Sequence, residues 1–208
     1  MNIEHGEIYK TLSIAKLYNY MSEDDGKIEI TDIRIERLSE SHYKKLGSFK
    51  SYEKELVDFL LEDALDNQKK KVSTTLLWSL KSTDEIIGYV TLLTDKISLN
   101  PTLKEEFKEK GILYKSLPAL KIGRLCVADD FLHKGVGSLM IQFAIHVVKK
   151  INDECGCRFI TLDAKRNPDS RKDSIHFYRK MEFSVLRERE KGTTAMYKDV
   201  FKIIENIK

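Results

Sequence analysis

The sequence contains few of the residues that interrupt or cross-link a chain. Its 208 residues include only three prolines, ten glycines and three cysteines. Because no stretch is rich in proline or glycine, no flexible linker between separate domains is evident. The length suits one ordinary domain with a terminal extension, and it is sufficient for a real hydrophobic core.

The three cysteines have no pattern of a disulfide framework or of a metal centre. Cys126, Cys155 and Cys157 are odd in number, and the last two are spaced C-x-C with no accompanying histidine pair. This spacing differs from the C-x-x-C of zinc and redox motifs. We therefore predict reduced thiols and no bound metal.

Long apolar runs are also missing. No run approaches the roughly 20 residues of a membrane helix, and the first ten residues lack the apolar stretch of a signal peptide. We therefore predict a cytoplasmic protein with no membrane partner. Hydrophobic residues make up 41% and charged residues 33%, a globular composition, and the net charge of +3 neither demands nor excludes an anionic partner.

Hydrophobic periodicity predicts the elements of the first half. Residues 7–21 have helical spacing, so residues 1–27 are predicted to form an N-terminal helical extension. A strand is predicted over 28–38 with a kink at Thr31 and Asp32, and a helix over 46–67. Residues 74–81 and 86–94 are predicted to form a hairpin, and a helix over 102–110 is predicted to end at Gly111.

The second half is more regular. The pattern predicts a strand over 117–128, a long helix over 136–153 and a buried strand over 158–164. A short helix over 173–180 and closing strands over 183–187 and 194–198 follow. This order predicts an α/β (α+β) fold, with a mixed sheet and helices on both faces.

A glycine-bearing turn lies between the strand and the long helix. Gly135 and Gly137 allow a ligand to approach the backbone closely, and the N–H groups and dipole at a helix N-terminus favour an anion. Two glycines before a helix more often mark a simple turn. The third glycine of a dinucleotide fingerprint is missing, and no Gly-Lys-Ser/Thr follows as in a nucleotide-binding P-loop.

Three motifs together resemble the GNAT superfamily of N-acetyltransferases. Leu125-Cys126-Val127 is similar to the end of the family's central strand, and Gly135-Val136-Gly137 to its phosphate loop. Phe177-Tyr178 followed by Phe183 is similar to the last motif. The resemblance implies a mostly antiparallel sheet of six to seven strands over residues 28–208, with acetyl-CoA as cosubstrate and no metal.

The resemblance also implies roles for individual residues. Leu125 and Val127, with Cys126 between them, would pair through their backbone with the pantetheine arm. Tyr178 would protonate the departing thiolate after an amine attacks the thioester directly. The residues that would hold the pyrophosphate are His133, Lys134, Gly135, Val136, Gly137 and Ser138.

The sequence departs from the family pattern at two positions. Leu132 stands where the family usually has Gln or Arg, so we hypothesise that His133 or Lys134 replaces that contact. Glu182 stands in place of the glycine before Phe183, and residues 165–172 form a longer connection than usual. No general base has a spacing signal; Glu85, Asp163, His176 and a water chain are the alternatives.

The strand Gly123-Arg124-Leu125-Cys126-Val127 further resembles the toxin-type branch of the family. Those proteins acetylate aminoacyl-tRNA and are held by an antitoxin, so Arg124 would lie at the acceptor site and tRNA would be a partner. Nearby basic residues fit such a partner, although lysine runs are usually just solvated surface. These residues are Lys69, Lys70, Lys71, Lys165, Arg166, Arg171, Lys172, Arg179 and Lys180.

The function and the oligomeric state each have an open alternative. One is a non-catalytic acyl-CoA-binding module, which the Leu132 departure favours. The acceptor amine is not identified by any motif. Aromatic residues in the predicted N-terminal helix would dock either on the domain or on a second copy in a homodimer; they are Tyr9, Tyr18 and Tyr20.

Overall fold

A computed structural model describes residues 27–166, 174–187 and 192–202. Seven strands follow one another along these residues. They are β1 (Ile33–Arg37), β2 (Thr74–Leu80), β3 (Ile86–Ser98), β4 (Ser116–Val127), β5 (Phe159–Lys165), β6 (Ser184–Arg187) and β7 (Thr193–Asp199).

Six α-helices connect the strands. They are α1 (Tyr43–Leu46), α2 (Lys54–Asp58), α3 (Ala64–Lys69), α4 (Pro101–Glu109), α5 (Val136–Asn152) and α6 (Ser174–Lys180). A π-helical turn, Phe59–Asp63, joins α2 to α3. None of the helices in the described ranges is long and apolar enough to cross a bilayer.

Hydrogen bonds join the strands in the order β1-β2-β3-β4-β5-β7-β6. β1 pairs antiparallel with β2, and β7 pairs antiparallel with both β5 and β6. β4 and β5 are parallel, as expected for strands joined by a crossover helix, here α5. The predicted mixed, mostly antiparallel seven-stranded architecture is confirmed.

Contacts divide the chain into two compact units. The first contains the described residues up to Val90 together with Leu125–Gln142. Tyr89 is fully buried in it, with the Phe49 ring edge-on at 5.9 Å and the Phe59 ring stacked at 6.4 Å. The Tyr89 hydroxyl donates a hydrogen bond of 2.6 Å to the Leu56 carbonyl oxygen, which fixes the helical segment on β3.

The second unit contains Thr91–Arg124 and the described residues from Phe143 onward. Its α4 begins at Pro101, and the Asn100 side chain accepts a hydrogen bond from the Leu103 N–H as an N-cap. Phe107 of this helix packs edge-on against Phe159 at 5.8 Å. The same core contains Ile97, Leu103, Leu117 and Ala119.

Two predicted elements require correction. The strand over 28–38 is interrupted by a 3₁₀ turn, Ile30–Asp32, so β1 begins at Ile33. The helix predicted over 46–67 begins only at Lys54, because long-range hydrogen bonds occupy the backbone before it. The Tyr52 N–H donates to the Asp129 carboxylate, and the Lys50 carbonyl oxygen accepts from the Asp129 N–H.

The other elements agree with their predictions within a few residues. Gly111 has a positive φ of 76° directly after α4, which is the helix end that its position predicts. β3 continues to Ser98 and is four residues longer than predicted. The N-terminal helix predicted over 7–21 lies outside the described residues.

Candidate active site

The glycine-bearing loop follows β4 through a short 3₁₀ turn, Asp129–Phe131. His133 and Gly135 both have positive φ angles, 62° and 82°, and α5 begins immediately afterwards at Val136. The second angle explains the glycine at this position, since residues with a Cβ rarely adopt it. Val136 is buried and anchors the first turn of the helix in the first unit.

Six consecutive backbone N–H groups at this loop have no protein acceptor among the described residues. They run from His133 to Ser138, and the next N–H, that of Leu139, is the first to bond within the helix, to the Gly135 carbonyl oxygen at 3.1 Å. Unpaired N–H groups at a helix N-terminus, with the positive end of the helix dipole, form an anion-binding site.

The side chains of this loop offer fewer groups for binding an anion than its backbone does. The ammonium of Lys134 lies 5.1 Å from the centre of the Phe131 ring, so its side chain is engaged in a cation–π contact. His133 is exposed and Leu132 is half-buried. The Lys134 carbonyl oxygen accepts a hydrogen bond of 3.2 Å from the Ile28 N–H, which ties the loop to the start of the described chain.

The end of β4 is held by close backbone packing with β3. A Cβ atom on Gly88 would lie 2.6 Å from the Cys126 carbonyl oxygen and 2.6 Å from the Met140 methyl carbon. The Ala128 N–H donates to the Ile87 carbonyl oxygen at 2.9 Å. Gly88 therefore lets β3, the end of β4 and α5 approach one another, a positioning role that a single glycine in a sequence does not reveal.

Asp129 is a second residue whose role is visible only in the structure. Its backbone N–H and its carboxylate bind opposite ends of the segment from Lys50 to Tyr52, with distances of 3.1 and 3.0 Å. Asp129 therefore attaches the segment 50–52 to the turn that leads into the glycine-bearing loop. No short-range pattern could have indicated an interaction across 77 positions of the chain.

Cys126 lies in the strand predicted to bind the pantetheine arm, and its thiol is held in the protonated form by burial. The side chain is buried, and burial raises its pKa to about 11. A thiol with this pKa is protonated near neutral pH, and the protonated form is a poor nucleophile. The geometry therefore opposes a covalent acetyl-cysteine intermediate. Leu125 and Val127, on either side, are half-buried.

Tyr178 lies on α6 in the second unit. It is 9% exposed and its ring packs edge-on between Phe177 and Phe183, with centroid distances of 5.1 and 5.7 Å. Burial alone raises the pKa of Tyr178 well above its ordinary value. The phenol therefore stays protonated across the physiological range, as a proton donor must.

The turn after α6 contains Glu182, which stands in the sequence where the family resemblance has a glycine. Glu182 has a φ of 63°, in the left-handed region that favours glycine. The Lys198 ammonium holds this turn by contacting the Glu182 carboxylate at 2.6 Å and the Met181 carbonyl oxygen at 3.1 Å. The Lys198 contacts thus hold a glutamate in a backbone conformation that is more usual for glycine.

Arg124, the predicted acceptor-site residue, directly precedes Leu125 and is exposed. Its guanidinium donates to the carbonyl oxygen of its own neighbour Gly123 at 2.8 Å. Among the proposed bases, Glu85 lies in the turn between β2 and β3, and His176 lies on the exposed side of α6. Asp163 lies on β5 with its carboxylate 2.7 Å from the Lys121 ammonium.

β4 and β5 pair over only part of their lengths. Their register runs from Ala119 opposite Phe159 to Ile122 opposite Leu162, and there the pairing ends. β4 continues to Val127, and β5 continues to Lys165 in its pairing with β7. The two parallel strands therefore separate at Gly123 and Asp163.

Some of the basic residues form ion pairs or hydrogen bonds with other described residues, and others lie exposed. Lys69 contacts Glu40 at 2.5 Å and Lys70 contacts Asp66 at 2.7 Å, so both lysines belong to exposed surface ion pairs. Arg179 and Lys180 lie exposed in the last turn of α6. Arg166 donates to the Thr194 hydroxyl at 3.1 Å, whereas Arg171 and Lys172 lie outside the described residues.

No group of three or more His, Cys, Asp or Glu side chains in the described ranges is arranged to hold a metal ion.

Comparison with known proteins identifies the family. The model of the acetyltransferase (GNAT) family matches residues 36–183, which is well over half of the chain. This protein belongs to the GNAT family and is an acetyl-CoA-dependent acyltransferase. None of the curated protein sequences matches it.

Solved structures of bacterial toxins share the fold. A tyrosine-to-phenylalanine mutant of KacT superposes with a TM-score of 0.68 at 17% identity, covering 81% of this chain and 95% of KacT. The structure of AtaT complexed with acetyl-methionyl-tRNAfMet superposes with a TM-score of 0.66 at 21% identity. The match covers 81% of this chain and 95% of AtaT.

A third structure is a tyrosine-to-phenylalanine mutant of the AtaT toxin bound to the C-terminus of the antitoxin AtaR and acetyl-CoA. It gives a TM-score of 0.64 at 19% identity, covering 81% of this chain and 94% of that one. Likeness at such identities establishes a common fold.

Proposed function

We propose that this protein transfers the acetyl group of acetyl-CoA to a primary amine by direct attack, with Tyr178 as the general acid. The observation that carries this proposal is the run of six backbone N–H groups between His133 and Ser138. The run has the chemistry required to bind a pyrophosphate, and it lies within the region matched by the GNAT model.

Acetyl-CoA would bind through main-chain groups in the first unit. The backbone of Leu125 and Val127 would pair with the amides of the pantetheine arm as an added strand. The N–H groups from His133 to Ser138 would hold the pyrophosphate, and the Ser138 hydroxyl offers a further donor. Leu132 supplies no polar group, and Lys134 already contacts Phe131, so backbone donors would provide most of the binding.

The transfer itself needs two proton movements. The amine nitrogen attacks the thioester carbon, and the carbonyl electrons move to oxygen to form a tetrahedral intermediate. The nitrogen gives up its extra proton to a base or to water, the carbon–sulfur bond breaks, and the thiolate takes the phenolic proton of Tyr178. Tyr178 carries its proton at the pH of the reaction, because burial keeps its pKa from falling below the ordinary value, so the phenol is available as the donor.

We propose aminoacyl-tRNA as the acceptor. The support is the match with the AtaT structure that contains acetyl-methionyl-tRNAfMet, which covers 95% of that chain. The exposed cations Arg179 and Lys180 on the helix of Tyr178 would contact RNA phosphates. Both substrates then place the enzyme in the cytoplasm, and an antitoxin would be its protein partner.

Cosubstrate binding can be tested separately from turnover. Isothermal titration with acetyl-CoA and with S-acetyl-pantetheine compares ligands that differ in the pyrophosphate assigned to the loop and in the 3′-phosphoadenosine attached to it. Acetyl-CoA is expected to bind at least about 100-fold more tightly, equivalent to two or more charge-assisted hydrogen bonds. Equal affinities would contradict the assignment of residues 133–138.

Turnover is tested by CoA release over a panel of acceptors. The panel contains methioninamide, a peptide N-terminus, a lysine side chain and total tRNA aminoacylated in vitro. Acetylation of the aminoacyl group, detected by mass spectrometry after nuclease digestion, would support the tRNA proposal. Activity with the small amines alone would replace tRNA with a small-molecule acceptor, and binding without any turnover would indicate a non-catalytic acyl-CoA module.

A further inference from the structure

A line of polar side chains crosses one face of the sheet in the second unit. Lys121 on β4 lies opposite Thr161 on β5 in the parallel register. Because alternate residues of a strand share a face, Gly123 lies on the face of Lys121, and Asp163 on that of Thr161. The same face carries the buried apolar residues Ala119 and Phe159 at the start of the pairing and becomes polar from Lys121 and Thr161 onward, whereas Ile160 and Leu162 on the opposite face are buried.

Two short contacts link three strands along this face. The Thr161 hydroxyl donates to the Asp95 carboxylate on β3 at 2.6 Å. The Lys121 ammonium contacts the Asp163 carboxylate at 2.7 Å. Thr161 is buried, whereas the side chains of Lys121 and Asp163 are 31% and 45% exposed. The line thus runs from a buried hydroxyl to a carboxylate that reaches solvent.

The exposed end of the line lies where β4 and β5 separate. Ile122 and Leu162 are the last paired residues, and the next position of each strand is Gly123 and Asp163. Gly123 has no side chain, and a Cβ there would be 2.8 Å from a methyl carbon of Leu93 on β3. The anchored Asp163 carboxylate and the Gly123 backbone, with the half-buried Leu93 side chain beside it, therefore follow directly on the last paired residues of β4 and β5.

We propose that Asp163 is the general base of the reaction, which takes the proton that the acceptor amine loses. This inference rests on the proposed amine acetyltransferase function. After the carbon–nitrogen bond forms, the nitrogen of the tetrahedral intermediate carries an extra proton. Asp163 accepts it directly or through one water, the carbon–sulfur bond breaks, and the thiolate takes the Tyr178 proton. Exchange with solvent then removes the proton from Asp163 and restores that of Tyr178.

Lys121 is a positioning residue in this scheme. Its ion pair fixes one carboxylate oxygen of Asp163 and leaves the other available to the acceptor. Thr161, fixed by Asp95, lies beside Lys121 in the register and supports it from the buried side. Across the sheet, the β7 partner of Asp163 is Ala195, which brings no competing charge.

The two other side chains considered as general bases, Glu85 and His176, are not held by an ion pair among the described residues. Glu85 is exposed in the hairpin turn of the first unit. His176 is exposed on α6, whose buried side is formed by Ile175 and Tyr178. Of the three alternatives, only Asp163 is anchored by an ion pair in the described structure.

The test compares Asp163→Asn with the wild type using two acceptors. Methioninamide is an ordinary α-amine. Hydroxylamine is a much weaker base, so the nitrogen of its tetrahedral intermediate loses the extra proton readily and depends less on a general base. Asp163→Asn is expected to lower kcat with methioninamide about 100-fold, the lower range of general-base catalysis, with the KM for acetyl-CoA unchanged. The loss with hydroxylamine is expected to be less than about 10-fold.

Two further variants separate catalysis from folding. Asp66→Asn is the matched control, because Asp66 is also an exposed carboxylate 2.7 Å from a lysine, and its activity should equal that of the wild type. Lys121→Met retains the carboxylate but removes its anchor, so it should lose less activity than Asp163→Asn, again mainly with methioninamide. Acetyl-CoA binding by every variant checks the fold.

The outcomes are distinguishable. A wild-type protein that binds acetyl-CoA but acetylates neither of these amines nor aminoacyl-tRNA would overturn the proposed function and this inference with it. An active wild type with an equally active Asp163→Asn variant would overturn the inference alone. Equal losses with methioninamide and hydroxylamine would do the same, because they would mark Asp163 as structural.

Discussion

Gly88 of β3 lies so close to Cys126 of β4 that a methyl group on its Cα would come within 2.6 Å of the Cys126 carbonyl oxygen. The same methyl group would lie 2.6 Å from the Met140 side chain and 3.3 Å from the Cα of Val127. Met140 belongs to the helix that follows the glycine loop, and Val127 ends the strand that precedes it. One missing side chain thus sets the spacing of both segments assigned to acetyl-CoA.

Gly88→Ala is therefore expected to destabilise the protein by about 1 to 3 kcal/mol and to weaken acetyl-CoA binding, because backbone atoms must move to admit the methyl group. Denaturant unfolding and isothermal titration measure the two effects. Gly47→Ala is the matched control, since a Cβ there would meet nothing within 4 Å and its φ is −62°. Unchanged acetyl-CoA affinity in Gly88→Ala would contradict the positioning role.

Tyr178→Phe should lower kcat about 100-fold or more while leaving the affinity for acetyl-CoA within about twofold. The substitution removes the proposed acid and keeps the ring contacts with Phe177 and Phe183. Tyr197→Phe is the control, because it removes a hydroxyl from another partly buried tyrosine of the same unit. A large loss of binding in Tyr178→Phe would instead indicate a structural role.

Cys126→Ala is expected to retain acetyl transfer, because a thiol with a pKa of about 11 is protonated at the pH of the assay. Below the ordinary pKa of 9.0, the thiol is neutral in both the folded and unfolded states and does not make stability pH-dependent. Between pH 9 and pH 11 only the unfolded chain releases the proton, so stability falls as the pH rises.

The wild-type protein is expected to lose up to about 3 kcal/mol of unfolding free energy between pH 9 and pH 11, because the pKa of the Cys126 thiol differs between the unfolded chain (9.0) and the folded protein (about 11). Urea unfolding at pH 8 and pH 11 measures it, and Cys126→Ala should show a correspondingly smaller decrease. Cys155→Ala is the control, since Cys155 is exposed. Equal pH dependence in the wild type and Cys126→Ala would show that the thiol is not the titrating group.

Replacing both Arg179 and Lys180 with glutamine should raise the KM for aminoacyl-tRNA. In a plot of log binding constant against log salt concentration, the slope should become shallower by about one for each phosphate contact that is lost. Activity with methioninamide should be unchanged. Lys69→Gln with Lys70→Gln is the control pair, because these lysines are paired with Glu40 and Asp66. A similar effect from both double variants would indicate non-specific charge attraction.

Much of the fold follows from local patterns. The 17-residue α5 has a strong apolar stripe and starts directly after Gly135, so its period and its start are both readable from the sequence. The turn at Glu182 illustrates the opposite case. A glutamate gives no signal for a positive φ, and only the Lys198 contacts explain how that conformation is held.

The remaining errors arise from interactions between distant residues. Phe49 and Tyr52 have helical spacing with the residues that follow, but Phe49 packs on Tyr89 and the Tyr52 N–H bonds to Asp129. Tertiary contacts therefore override the periodicity and delay the helix to Lys54. The ion pair of Lys121 with Asp163 has the same origin, because strand pairing, and not sequence spacing, brings the two residues together.

The donors at the start of α5 are peptide groups, which every residue except proline carries. If they hold the pyrophosphate as proposed, drift in side-chain identity between His133 and Ser138 leaves the recognition chemistry in place. What must be inherited is the path of the chain, with its two positive φ angles at His133 and Gly135. Sequence divergence in this loop is therefore a poor measure of functional divergence, and proline at Val136, the first residue of α5, would be the direct way to remove one donor.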